Sequence, residues 1–308
     1  MRRKIGLLGI VGLLIAAAPV CVDETFTITI KKSGEGAVTQ HKKEGTANSH
    51  VTLEGPDGKA LNEEKKAEST IEEYKETILA KEKGKRATKI RREYSKAVVT
   101  ANGKEQTLAY NGKTLLIEKK GDKYHFTIEG SEELKGKDAE SLNRAFNKPN
   151  GDDSDSEEME KAFLPKKPLA VNDTWKMDSG DVVKALGREI EQNFPVDKSK
   201  ATGQGKLLRA YKKDGRQFGV MDIEVNVPLK GDLPVGKDQK APIREGSKMT
   251  LHVKVDGCID GTSSDSVSDT SMNIDLAAAI KTPEGKELKL TIHIVGKEKE
   301  RETDLAKK

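Results

Sequence analysis

Ile274-Asp275-Leu276-Ala277-Ala278-Ala279-Ile280-Lys281, then Thr282-Pro283-Glu284-Gly285-Lys286, then Glu287-Leu288-Lys289-Leu290-Thr291-Ile292-His293-Ile294, is the stretch that decides the fold. Apolar residues recur every second position on both sides of a turn signal, the period of a half-buried strand. Pro283-Glu284 suits a type I turn, and Gly285 suits the left-handed position that follows it. That turn sets Ile280 opposite Leu288, Ala278 opposite Leu290, Leu276 opposite Ile292 and Ile274 opposite Ile294. It also sets Lys281 against Glu287 and Asp275 against His293. One face is apolar and the other polar, which is the pattern of an antiparallel sheet covered on one side.

Working outward, the same period predicts strands at about 200–213, 216–229, 247–259 and 266–281, with the last running from 286 to 300. The charged tail from Lys297 is expected to fray. A strand is predicted at Thr174–Met177 and a helix at about 180–192. Upstream, Thr25 to Ile30 alternates cleanly. Residues 33–66 are rich in Gly, Lys, Glu and Asn and read mostly as loop, with a weak strand at Val51–Leu53. Over 69–99, a hairpin closing at Lys83-Gly84-Lys85 pairs Ile78 with Ile90, Glu76 with Arg92, Tyr74 with Tyr94 and Glu72 with Lys96. The register one step away sets like charges opposite each other and is disfavoured. Asn111-Gly112 reads as a hairpin turn joining Thr107–Tyr110 to Thr114–Glu118, and Gly121-Asp122 as another leading into Tyr124–Ile128. Helical spacing of Ala139, Leu142, Ala145 and Phe146 predicts a helix over 137–147. Ser154 and Glu157 have capping-box spacing for a second, to about Ala162. Pro165 and Pro168 then enforce an extended connector. The predicted class is α+β: long antiparallel β-meanders forming a curved or barrel-like sheet, with a few short helices. The division is residues 1–21, a β-rich half over 22–164, and a second meander over 165–308; the two halves could equally make one continuous domain.

The N-terminus has the layout of a secretory signal peptide: Arg2-Arg3-Lys4, an apolar run from Ile5 to Ile15, and Ala16-Ala17-Ala18. The expected location is outside the cytoplasm, periplasmic or extracellular. Cys21 offers lipid anchoring as an alternative, although Val20 stands where that signal calls for a small residue. The whole chain has 55 basic and 51 acidic residues. Losing residues 1–21 removes three of the positive charges, so the remainder carries a net +1. Nucleic acid is therefore not an expected partner, and no membrane span is expected after processing. A monomer is expected. Cys258, unpaired once Cys21 leaves, reads as a buried small hydrophobe.

Catalytic and cofactor motifs are incomplete. Gly231 to Lys237 approaches a P-loop, but Asp238 replaces the Mg-binding hydroxyl and Pro242 interrupts the following helix. The acidic run Asp153-Ser154-Asp155-Ser156-Glu157-Glu158 lacks the glycine and the terminal glutamate of a calcium loop. Asp256, Asp260 and Asp265 surround a turn that could hold a cation weakly. The histidines, His41, His50, His125, His252 and His293, form no metal-ligand pair. His293 facing Asp275 lacks an activated nucleophile. No catalytic residue, cofactor or metal site is assigned.

Trp175, the sole tryptophan, ends Leu164-Pro165-Lys166-Lys167-Pro168-Leu169-Ala170-Val171-Asn172-Asp173-Thr174-Trp175. This segment resembles a Leu-Pro-x-Lys-Pro-x-x-Val-x-Asp-x-Trp motif found mid-chain in an uncharacterised family of exported bacterial β-rich proteins, with Asn172 where that family usually has glycine. The resemblance implies architecture and no activity. A curved sheet with helices across its mouth also resembles the half-barrels of envelope lipoprotein carriers, at the level of fold only. The expectation is a non-catalytic exported protein of the cell envelope that binds an envelope protein or an apolar ligand. Its alternatives are a carrier of a lipid or other apolar molecule, and a hydrolase of unfamiliar design. The residues expected to face a ligand or to fill a dry core are Trp175, Ile274, Leu276, Ile280, Leu288, Leu290 and Ile292.

Overall fold

The computed structural model describes residues 24–83, 85–147, 162–186, 194–235 and 239–305. The signal-peptide reading, Cys21, the acidic run, most of the helix expected from Ser154, and the end of the helix expected to reach 192 all lie outside the described residues. Among the described residues, strands account for 63%, with two short α-helices, so the sheet sets the architecture.

Sixteen strands are formed among the described residues: β1 (Thr25–Phe26), β2 (Val38–Glu54), β3 (Ala60–Lys81), β4 (Ala87–Ala101), β5 (Lys104–Thr107), β6 (Thr114–Lys120), β7 (Lys123–Ile128), β8 (Leu169–Ala170), β9 (Thr174–Met177), β10 (Thr202–Lys213), β11 (Arg216–Pro228), β12 (Asp232–Pro234), β13 (Lys240–Pro242), β14 (Lys248–Cys258), β15 (Ser266–Lys281) and β16 (Glu287–Asp304). The main sheet runs β7-β6-β4-β3-β2-β16-β15-β14-β11-β10-β9, with β5 also on β4, and every pair is antiparallel. It is open, with β7 and β9 at its ends, and does not close into a barrel. Helices α1 (Glu140–Phe146) and α2 (Ser179–Leu186) pack their apolar sides onto it through Leu142 and Phe146, and through Val182 and Val183.

The β15–β16 register is the one the turn chemistry dictates. Ile280 pairs with Leu288, Ala278 with Leu290, Leu276 with Ile292, Ile274 with Ile294 and Lys281 with Glu287. Gly285 takes φ 80, and the Thr282 and Gly285 amides close the loop onto Lys286 and Thr282 carbonyls. Asp275 and His293 bond at 2.6 Å across the polar face. The β3–β4 hairpin likewise sets Tyr74 against Tyr94, Glu76 against Arg92 and Ile78 against Ile90. One expected pair slips. A bulge after Glu73 moves Glu72 to Ala97 and gives Lys96 to Glu73, because an extra residue shifts the register beyond it by one.

Three expectations are corrected. Residues 33–66 are not mostly loop: β2 and the first part of β3 fill them. Only Val38–His41 and Val51–Leu53 of β2 meet apolar neighbours, and Lys42 to His50 has little apolar cover on either face, so no alternation marks it. What defines this strand is its ladder to β16 on one side and β3 on the other. Second, the tail from Lys297 is not frayed, since Lys297 to Asp304 pairs with Thr46 to Thr39 of β2. Third, Asn111-Gly112 connects β5 to β6 but not as a hairpin, since the two strands do not pair with each other. Both of those strands lie along β4, and the Asn111 side chain accepts the Ala97 amide between them. The Asn-Gly hairpin is instead Asn102-Gly103, with φ 49 and 78, joining Ala101 to Lys104. The Thr25–Ile30 strand is also shorter than its alternation suggests. Beyond Phe26 only Thr29 pairs, with Asp260.

Trp175 is an anchor of the larger apolar cluster, 9% exposed, and its indole N–H donates to the Phe163 carbonyl at 2.9 Å. It pairs with Gly205 on β10, and a Cβ on Gly205 would fall 2.1 Å from the ring. The glycine is therefore a slot for the indole. Gly205→Ala is expected to lower stability by at least ~2 kcal/mol through overpacking and to shift the emission of the sole tryptophan. An unchanged melting temperature would refute the slot. Backbone amides of Lys297–Glu302 are expected to exchange as slowly as those of β15, because β16 is paired on both sides; exchange at unstructured-chain rates would refute that.

Candidate ligand-binding cavity

Residues alternating along a strand share a face, and one face of the main sheet carries both apolar clusters. The larger covers β11, β14, β15 and β16 with Met221, Ile223, Met249, Ile274, Leu276 and Leu290. The smaller covers β3, β4, β6 and β7 with Tyr74, Ile78, Ile90, Tyr94, Leu115, Ile117 and Phe126. Between them lies a polar seam. Paired residues Ser266, Glu302, His41, Tyr74 and Tyr94 form one row across five strands, and Ser268, Glu300, Lys43 and Glu72 form the next.

The seam is closely bonded. His41 stacks on Tyr74 at 4.9 Å, Tyr74 meets Tyr94 at 5.0 Å and Tyr94 meets Tyr110 at 4.6 Å. Arg92 lies 4.4 Å above the Tyr74 ring and donates to Glu76 at 2.8 Å. His41 uses one ring nitrogen for Thr39 at 2.9 Å and the other for Glu300 at 3.1 Å, and Lys43 reaches Glu300 at 2.9 Å. Burial alone would raise the Glu300 pKa, but the His41 hydrogen bond and the Lys43 charge hold it at about 2. Burial raises Glu302 and prevails there; His41 opposes it, while Glu300 and Glu76 add to it. Burial also raises the Tyr74 phenol, against the charges of Arg92 and Lys43.

Beside the seam is a cavity of about 900 Å³. Its floor is Met221 and Ile223 of β11 with Leu251, Val253 and Val255 of β14. Phe163 and Leu164 wall one side, and Glu302 stands at the seam. Its mouth is formed by the covering segment Ile30 to Gly34 and by the β3–β4 hairpin tip with Lys81, Glu82, Lys83 and Lys85. In the sheet β3 and β14 are separated by β2, β16 and β15, a separation of roughly 19 Å at about 4.8 Å per step. For both to line one cavity the sheet must curl. Bulges near Ala80 and Lys81 supply a bend at the hairpin tip, and the Gly36 amide and Ala37 carbonyl hold the covering segment to Ile78. Lys81 donates to the Ser33 carbonyl at 2.8 Å across the mouth.

Of the two places expected for these residues, facing a ligand or filling a dry core, most take the core. Trp175, Ile274, Leu276 and Leu290 are buried in the larger cluster, Ile280 and Ile292 pack against it, and Leu288 is half-buried in β16; none lines this cavity. The cavity floor was legible only as the alternation Leu251, Val253, Val255. No short-range signal assigns its mouth, because Ile30–Gly34 and Lys81–Lys85 are distant in sequence.

The remaining polar candidates have partners within the protein. His50, His125, His252 and His293 each meet a carboxylate, from Glu63, Glu133, Asp222 and Asp275. Asp256 accepts from Tyr211, Asp265 from Arg216, and Asp260 from the Gln217 amide, Thr262 and the Cys258 thiol. Among the described residues no group of three such side chains could hold a metal ion. Cys258 is buried, as expected. No described helix is long and apolar enough to cross a membrane.

No protein-family model matches the sequence, and comparison with curated proteins finds no match. Among solved structures, an outer-membrane channel from Pseudomonas putida F1 is 8% identical, covers 88% of this chain and 97% of its own, and has a TM-score of 0.19. A mutant of the Rh. blastica porin is 9% identical, with 84% and 99% covered and a TM-score of 0.19. OpdQ of Pseudomonas aeruginosa is 8% identical, with 88% and 98% covered and a TM-score of 0.18. TM-scores this low establish no common fold, and nothing below rests on them.

The two seam carboxylates predict opposite pH effects. Glu300, held near 2 against an ordinary 4.5, stabilises the fold above the ordinary value and loses that contribution as pH falls towards 2. Glu300→Gln is expected to cost about 2 to 3 kcal/mol at pH 7. Glu302, raised by burial, favours its protonated form in the fold, so its ionised form costs stability at higher pH. Glu302→Gln is expected to raise the melting temperature at pH 8 and to lose the gain below about pH 4. Parallel behaviour of the two variants across pH would refute the assignment.

Proposed function

We propose that this is an exported, non-catalytic binding protein of the cell envelope, periplasmic or extracellular, whose ligand is an apolar or amphiphilic small molecule. The observation that carries the reading is the cavity of about 900 Å³ with a floor of Met221, Ile223, Leu251, Val253 and Val255. Its volume lies in the range of roughly 300 to 1,000 Å³ usual for small-molecule sites, which are lined mainly by apolar side chains; here the floor is apolar and the charged groups stand at the edge. Branched aliphatic side chains on paired strands make a stiff, water-poor surface. Transfer of an alkyl chain onto it is favourable by about 0.8 kcal/mol per buried methylene.

The leader-like first 21 residues support export, and the near-neutral remainder supports a ligand other than a polyanion. The non-catalytic part of the reading is supported by the pairing of the seam groups with one another: His41 and Lys43 are committed to Glu300, and Arg92 to Glu76. An envelope protein as the partner is the second reading. It is favoured by Leu61, 61% exposed on a stretch of β3 that lies beyond the reach of β4.

The neutral probe N-phenyl-1-naphthylamine tests the proposal. Its fluorescence is expected to rise and shift to the blue on binding. Val253→Trp, which fills the cavity from its floor, is expected to abolish this while leaving circular dichroism and the melting transition in place. Equal enhancement with the folded variant, or none with the wild type, would overturn the reading.

A further inference from the structure

We infer that the ligand is a single-chain amphiphile with an anionic head, a carboxylate or a phosphate, held at the lysine mouth with its alkyl chain on the floor formed by β11 and β14. This rests on the cavity being the binding site, as proposed above, and adds the chemical class of the occupant. The mouth carries Lys31, Lys32, Lys81, Lys83 and Lys85. Two carboxylates, Glu82 and Glu302, share the lining, so the mouth is positive on balance. Three of the lysines have partners within the protein: Lys85 meets Glu82 at 2.6 Å, Lys31 meets Asp304, and Lys32 is also engaged. Lys81 is different. Its ammonium bonds to a backbone carbonyl, that of Ser33, which orients it without neutralising it, and an ammonium has three donors to offer.

The geometry separates the two chemistries by position. Apolar side chains line the floor, and the ammonium groups stand on two elements, the covering segment and the hairpin tip. These two elements are tied to each other by the Lys81–Ser33 bond. A neutral alkane would leave the lysines unused. A two-chain lipid would need room for a second chain, and the five floor residues come from only two neighbouring strands, β11 and β14. A molecule with one chain and one anionic head matches both parts: the chain is buried, and the head accepts hydrogen bonds from charged donors.

The test is displacement of N-phenyl-1-naphthylamine from the full mature chain by dodecanoate, dodecyl phosphate and dodecanol, all below micelle-forming concentrations. The anions are expected to displace on the order of tenfold more tightly than the alcohol in low salt, and the gap is expected to narrow as salt screens the mouth. Whichever anion is tighter identifies the head as carboxylate or phosphate. The double variant Lys81→Gln with Lys83→Gln, in which a glutamine at 81 keeps an N–H donor for the Ser33 carbonyl, is expected to keep alcohol binding and lose the preference for anions. Equal displacement by alcohol and anions in low salt, or an anion preference that survives the double variant, would overturn the inference while leaving the cavity as a binding site. Failure of the probe to bind at all would instead remove the reading on which the inference rests.

Discussion

The ladder between β2 and β16 is the interaction on which everything else depends. It pairs Thr39 through Glu54 with Asp304 through Lys289, joining the first long strand of the chain to the last. On one side of it stand β3, β4, β6 and β7, and on the other β15, β14, β11, β10 and β9. Each side has its own apolar cluster, and only this ladder makes them one sheet. It also assembles the polar seam, since His41 and Lys43 come from β2 and Glu300 and Glu302 from β16. The ladder has little apolar cover along Lys42–His50, so backbone hydrogen bonds and paired charges carry much of its specification. Exposed ion pairs contribute only about 0 to 1 kcal/mol each. The half-buried Glu300 site, with Lys43 and a His41 hydrogen bond as partners, is the stronger of these contacts.

How far the sequence could be read follows directly from that division of labour. Where one face is buried and the other wet, alternation and turn chemistry predicted the pairing residue by residue. The Ile274–Ile294 hairpin and the Tyr74–Tyr94 register are of this kind. Where a strand lacks apolar cover on both faces, its residues look like loop, and Lys42–His50 was misread for that reason. The charged end of β16 was misread as frayed on the same ground. The two Asn-Gly pairs carry a further lesson. The dipeptide at 102–103 makes the two-residue hairpin, while the one at 111–112 turns the chain between two strands that share a neighbour. Local turn preference does not distinguish these cases; the partner strand does.

The binding region was less legible than the fold. Its floor alternates as any half-covered strand does, and its mouth is made by two segments some fifty residues apart that meet only because the sheet curls. The lysines at 81–85 read naturally as one end of a charge ladder, and part of that reading holds, since Lys85 does meet Glu82. Asn172 is a smaller instance. It takes φ 74 in the turn before Trp175, the left-handed region that glycine enters freely and asparagine tolerates. The sequence shows which residue stands there but not the strain it accepts.

The position of β16 has a consequence for synthesis. A chain made from the N-terminus has β2 with one open edge and β15 with another until β16 has emerged, because the element that lies between them follows both in the chain. Until β16 is made, the growing chain holds two incomplete sheets with long unpaired edges. Pairings this distant in sequence are slow to form, and open edges invite association with other chains. Lysines and glutamates crowd the first part of β3, from Glu63 to Glu68, a stretch whose outer edge β4 reaches only at Glu68. Their abundance, which costs the folded protein a larger core, is well suited to keeping the unfinished one apart from its neighbours.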